Sequence, residues 1–278
     1  MKRPKLSIIG AGNVGTQLAL AFYAAGYSII EVCSRSEARA IPLADTLNAR
    51  FVKDVSLLEN NADVYLFCIS EEDLKRLPKL DHLQGKLLCH TSGSTSMDVL
   101  SGLTTSYGVF YPLQTFSLAE SINLVGIPIL IEAKKPDELA TLNEMAKNIS
   151  GDARVTTGPE RLIIHLSAVI ACNFTNYLYW RAEELLNRHG LAFELLHPLI
   201  TETARKATHM SPKLAQTGPA VRGDLDILQR HKELLASDPE ILKIYTRISK
   251  ELMLAYPASG ISLQDIPEKK LKGKKLHE

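Results

Sequence analysis

Two kinds of apolar pattern follow one another along the chain. Up to about residue 157, short β-rich apolar runs alternate with stretches of helical periodicity; beyond it, only helical periodicity is found. Strands are predicted at 5–9, 28–33, 51–52, 63–69, 86–90, 107–110, 128–132 and 153–156, and helices between them at 13–25, 37–47, 72–77 and 136–150. Gly26 stops the first helix, and Pro42 either bends the second or marks its start. The run at 63–69 is apolar throughout, as in a strand buried on both faces. Strands alternating with helices predict an α/β fold with a doubly wound, mostly parallel sheet.

In the second half, Pro159 suits a first helical position, and the apolar pattern then runs without a breaker to about Asn187. That helix would be roughly 40 Å long. Further helices are predicted at 193–209, 224–236 and 238–256, the last opened by Asp238-Pro239. The chain is therefore divided into a sheet domain at 1–157, an all-helical domain at 158–264 and a lysine-rich tail at 265–278, predicted to be disordered.

Composition narrows the function classes. The 278 residues are 45% hydrophobic and carry a formal net charge of +1, enough for a large core but giving no field for nucleic acid or an anionic membrane. The longest uninterrupted apolar runs are too short to span a bilayer, and the basic N-terminus lacks the apolar stretch of a signal peptide. Cys33, Cys68, Cys89 and Cys172 are scattered, as free thiols in a reducing cytoplasm would be.

The strongest chemical signal is Gly10-Ala11-Gly12-Asn13-Val14-Gly15, a GxGxxG between a strand and a helix. Gly10 permits the turn, Gly12 lets a pyrophosphate approach, and Gly15 lets helix and strand pack. The helix start at Asn13 and Val14 then offers N–H groups to the phosphates. This is the Rossmann dinucleotide signature. About 20 residues on, an NAD enzyme places an acid on the ribose 2′-hydroxyl. Here stand Ser34, Arg35 and Ser36, suited to the 2′-phosphate of NADP, while Glu31 is predicted to face the other side of the sheet.

Two later strand ends, with Ile69-Ser70 and with His90 and Ser92, also face the ligand crevice. His90 reads equally as a structural turn or a catalytic group. The segment Tyr111-Pro112-Leu113-Gln114 either lines the pocket or covers the sheet. On the long helix, His165 and Asn173 share an apolar stripe: either satisfied polar residues at an interface, or a proton donor and a substrate anchor. Arg222 and His231 flank a Gly-Asp helix start and read either as ordinary cap residues or as ligands of an anionic substrate.

These motifs together resemble a family of NADP oxidoreductases that join a Rossmann-like domain to a helical C-terminal domain. It is related to pyrroline-5-carboxylate reductase, 6-phosphogluconate dehydrogenase and the β-hydroxyacid dehydrogenases. The resemblance implies hydride transfer to or from a small C=O or C=N substrate at the domain interface, NADP as cofactor, and a homodimer built on the helical half. One departure stands out. The β-hydroxyacid dehydrogenases place a lysine four residues before the helix asparagine, where this chain has Val169. The missing lysine keeps open a non-catalytic NADP-binding sensor or scaffold. A looser likeness in the first domain keeps open a deazaflavin-dependent NADP reductase.

Overall fold

The structure, a computed structural model, describes residues 3–117 and 122–257; the tail at 265–278 lies outside them. Among the described residues, eight strands form one sheet: β1 (Leu6–Ile9), β2 (Ile29–Cys33), β3 (Arg50–Val52), β4 (Val64–Phe67), β5 (Leu87–His90), β6 (Tyr107–Pro112), β7 (Ile129–Ala133) and β8 (Ala153–Val155). Their order is β3-β2-β1-β4-β5-β6-β7-β8. The first six strands have the Rossmann order, whose direction switches between β1 and β4. All neighbours are parallel except β6 and β7. The helices of this region are α1 (Asn13–Ala24), α2 (Glu37–Leu47), α3 (Glu71–Lys75) and α4 (Pro136–Ile149).

Strand periodicity sends successive side chains to opposite faces, and both faces are covered. Leu6, Ile8, Val64 and Leu66 enter one core with Leu18, Phe22 and Leu142. Ile9, Tyr65 and Phe67 enter a second with Leu74, Leu100 and Tyr107. Phe22 stacks edge-on to Tyr27 and tilts against Phe110. Pro42 sits inside α2, which continues through it.

The long helix α5 (Gly158–Arg188) is continuous but not uniform. Thr157 and Glu160 form a capping box at its start. Over Val169–Phe174 it widens into a π-helical segment. By length and composition it is long and apolar enough to cross a membrane, and its apolar side chains lie largely uncovered. Then come α6 (His197–His209), two short turns at Pro212–Ala215 and Pro219–Arg222, α7 (Leu225–Leu234) and α8 (Pro239–Ala255).

The chain groups into two compact units, Met1–Asn176 and Tyr177–Glu278, whose border falls inside α5 rather than at its start. Arg161 explains why the beginning of the helix belongs with the sheet. Its guanidinium is 1% exposed, bonds the Thr95 carbonyl at 2.6 Å and pairs with Glu132 of β7. In the second unit, Arg181 and Arg188 both pair with Asp238, the N-cap of α8. The Arg188 hydrogen bond leads in holding that carboxyl below its ordinary range.

Candidate active site

The ends of β1, β2 and β4 open on a groove of ≈ 460 Å³. Gly10 has a φ of +107°, and a Cβ there would lie 2.3 Å from the Cys68 carbonyl oxygen. A Cβ on Gly15 would lie 1.8 Å from the Gly10 carbonyl oxygen. At Gly12 a Cβ would meet nothing within 4 Å, so the turn is walled by protein at two glycines and open at the third. Helix α1 has no side-chain cap and no acid in its first turn. Its first N–H groups therefore suit an anion, and the residues present fit a pyrophosphate.

Ser34, Arg35, Ser36 and Ile69 line the same groove. Arg35 pairs with Asp73 at 3.0 Å, an exposed contact that costs little to break. Glu31 is wholly buried and pairs with Arg50, and it accepts from the Ser7 hydroxyl at 3.1 Å, so the acid of β2 itself is withdrawn from the groove, whose lining acids are Asp54 and Asp73. Arg39 also lines the groove, and among the described residues it makes no ion pair. The sequence signal for Arg39 is its place in the first turn of α2, four residues after Arg35. Burial pushes the thiols of Cys33 and Cys68, both on the groove, up to about 12, so neither brings a charge.

Other expected residues have local duties. The Asn13 side chain donates to the Phe116 carbonyl at 2.8 Å, and Val14 packs on the core. Ser70 caps α3 by accepting from the Asp73 N–H at 3.1 Å. The Ser92 hydroxyl accepts from the Thr95 N–H at 3.2 Å. His90 is a turn residue: its Nδ1 accepts from the Ser92 N–H, which leaves Nε2–H to donate to the Ser96 carbonyl. Burial foremost, then the charge of Arg161, pushes its imidazole down to about 4.

His165 meets the ends of the parallel strands. Its Nδ1 lies 3.0 Å from the Tyr111 hydroxyl, with the rings edge-to-face. Gly93 sits against both: a Cβ there would lie 2.7 Å from His165 Cγ and 2.8 Å from Tyr111 Cζ. Tyr111 thus touches His165 and Gly93, while neither it nor His165 is among the residues that line the groove. Asn173 is exposed within the π segment, and no hydrogen bond joins it to His165. The widening breaks the 3.6-residue projection that put the two on one stripe. In the second unit, Arg222 pairs with Asp224 at 2.8 Å, and His231 Nδ1 lies 2.8 Å from the Tyr245 hydroxyl.

Comparison with known proteins places this geometry. Residues 5–92 match the family described as NADP oxidoreductase, coenzyme F420-dependent, and residues 127–252 match a domain of unknown function, DUF2520. A protein of Bacteroides fragilis, BF3122, provisionally assigned as an NADP oxidoreductase, is 38% identical over 90% of this chain and 98% of its own, with a TM-score of 0.85. The chain belongs to this NADP oxidoreductase family. NADP is the family's cofactor. The fold alone is shared more widely. An imine reductase from Myxococcus stipitatus, in complex with NADP+, is 17% identical over 91% of this chain and 95% of its own (TM-score 0.66). A pyrroline-5-carboxylate reductase from Coxiella burnetii is 15% identical over 90% of this chain and 99% of its own (TM-score 0.56). No curated protein matches the chain.

Proposed function

We propose that this oxidoreductase is an NADPH-dependent reductase of small molecules bearing a C=O or C=N bond. The observation that carries the proposal is the groove at the β1–β4 switch: an open Gly12 beside an uncapped helix, arginines at the end of β2, and the nearby acid withdrawn. Gly10, Gly12 and the α1 start at Asn13, Val14 and Gly15 hold the pyrophosphate. Ser34, Arg35, Ser36 and Arg39 hold the 2′-phosphate. Ile69, Ser70 and Ser92 serve the nicotinamide end.

Bound NADPH supplies the hydride. His165 supplies the proton to the substrate heteroatom, in place of the lysine that this helix lacks at Val169. Asn173 anchors the substrate; in the second unit, Arg222 and His231 are the groups suited to an anion. We also propose a cytoplasmic homodimer, with the helical region as a 6-phosphogluconate-dehydrogenase-like dimerisation module. The uncovered apolar side chains of α5 support a second copy as their cover. A bilayer suits them less, because the same helix carries Arg181 and Glu184.

The test is NADPH consumption with a panel of ketones, keto acids and imines. His165→Asn is expected to lower turnover by roughly 10²–10⁴-fold while NADPH affinity stays unchanged. Tight NADPH binding with no substrate consumed by the wild type would favour the sensor or scaffold reading instead. The description of the matched N-terminal family favours one further reading, reduction of a deazaflavin. NADPH oxidised only when coenzyme F420 is added would select it.

A further inference from the structure

Resting on the reduction reading above, we propose that Tyr111 and His165 form a proton relay: the phenol supplies the imidazole, and the imidazole supplies the substrate.

Three elements converge at this point: the turn after β5, the end of β6 and the first half of α5. Gly93 has no side chain because both rings occupy the space beside it. Tyr111 is half-buried, and among the described residues the His165 Nδ1 is the single hydrogen-bond partner of its hydroxyl. With the phenol as donor, Nδ1 is the acceptor, and the neutral imidazole then carries its own proton on Nε2, which has no partner among the described residues. That direction makes Nε2 the nitrogen that gives the proton away.

As hydride reaches the substrate carbon, the Nε2–H bond breaks and its proton joins the substrate oxygen or nitrogen. The Tyr111 O–H bond breaks and its proton joins Nδ1. The imidazole ends neutral with the proton on Nδ1, and Tyr111 ends as a phenolate; the Nδ1 proton then returns to the phenolate as Nε2 takes a proton from solvent, which restores the starting tautomer. A forming alkoxide is far more basic than a phenolate, so the transfer runs downhill. Burial raises the phenol above its ordinary value, and the charge of Arg161 opposes that rise. Arg161 bonds the Thr95 carbonyl of the turn that holds Gly93. Arg161 is thus a positioning residue whose charge also favours the phenolate.

The first test needs no substrate. Nitrogen-15 NMR of the full chain with labelled histidine, in mildly alkaline buffer, reads the His165 tautomer; a His165→Asn sample assigns the signals. The expected result is a protonated Nε2 and a bare, hydrogen-bonded Nδ1, with both signals moving toward the averaged tautomer values in Tyr111→Phe. A wild-type proton on Nδ1 overturns the relay. The second test is NADPH consumption on the same panel, where Tyr111→Phe is expected to lose about 10²-fold in turnover and none of its NADPH affinity. Wild-type turnover in that variant overturns the relay and leaves the reduction reading standing. A wild type that consumes no NADPH removes the reduction reading and, with it, the relay's use in catalysis.

Discussion

In the sheet unit, Leu6, Ile8, Leu66 and Phe67 are fully buried, and core residues cover both faces of the strands. In the second unit, the buried hydrophobics among the described residues are Ala220, Leu228 and Leu235, while Leu199 is 62% and Leu214 82% exposed. Yet its helices are well made: Asp238 caps α8, and arginines from α5 fix that cap. The helices are formed but little covered, and that is the surface the proposed second copy would bury.

Substitutions at the glycine turn break this comparison hardest. Gly15→Ala puts a Cβ against the Gly10 carbonyl, backbone that cannot yield, and is expected to abolish cooperative folding of the sheet unit. Gly12→Ala has open space and is expected to keep the wild-type melting temperature while losing NADPH affinity. Circular dichroism melts and calorimetry on both variants check this, and equal melting temperatures would contradict it. On the helical side, Ile170→Asp charges a residue 55% exposed on α5. Light scattering is expected to report twice the chain mass for the wild type and a single chain for the variant. A wild-type monomer at micromolar concentration would remove the argument from exposed surface.

The sequence made the sheet unit legible because its signals are local. Strand runs, helix periodicity and the glycine turn each occupy a few consecutive residues, and the structure places strands and helices where those runs predict them. The reversed direction of β7 was not legible, because no residue between β6 and β7 marks it. Nor was the π widening of α5, because no proline or glycine marks Val169–Phe174. Arg161 was hidden for another reason. Its partners Glu132 and the Thr95 carbonyl lie 29 and 66 residues away, so nothing near it in sequence shows that a charge could be buried there. Glu31 was legible in part: strand alternation gave its face, but not its pairing with Arg50.

A pH titration sharpens the contrast at a smaller scale. His90 titrates near 4 when folded, against an ordinary value of 6.5, because burial disfavours its cation. Between these values the unfolded chain binds a proton that the folded chain does not, so stability falls as pH falls through that window and is unaffected above it. The full effect is about 3 kcal/mol. Melting temperatures from pH 7 to pH 4 are expected to drop less steeply in His90→Gln than in the wild type. Parallel slopes would mean that His90 is not held neutral.

The groove between β1, β2 and β4 fits a 2′-phosphorylated dinucleotide. Calorimetric titration of NADPH and NADH into the wild type, Arg35→Ala and Arg39→Ala tests it most directly. The wild type is expected to prefer NADPH by roughly tenfold to a hundredfold, the range of a charge-assisted phosphate contact, with each variant losing part of that preference and none of its NADH affinity. Equal wild-type affinities for the two cofactors would contradict the account.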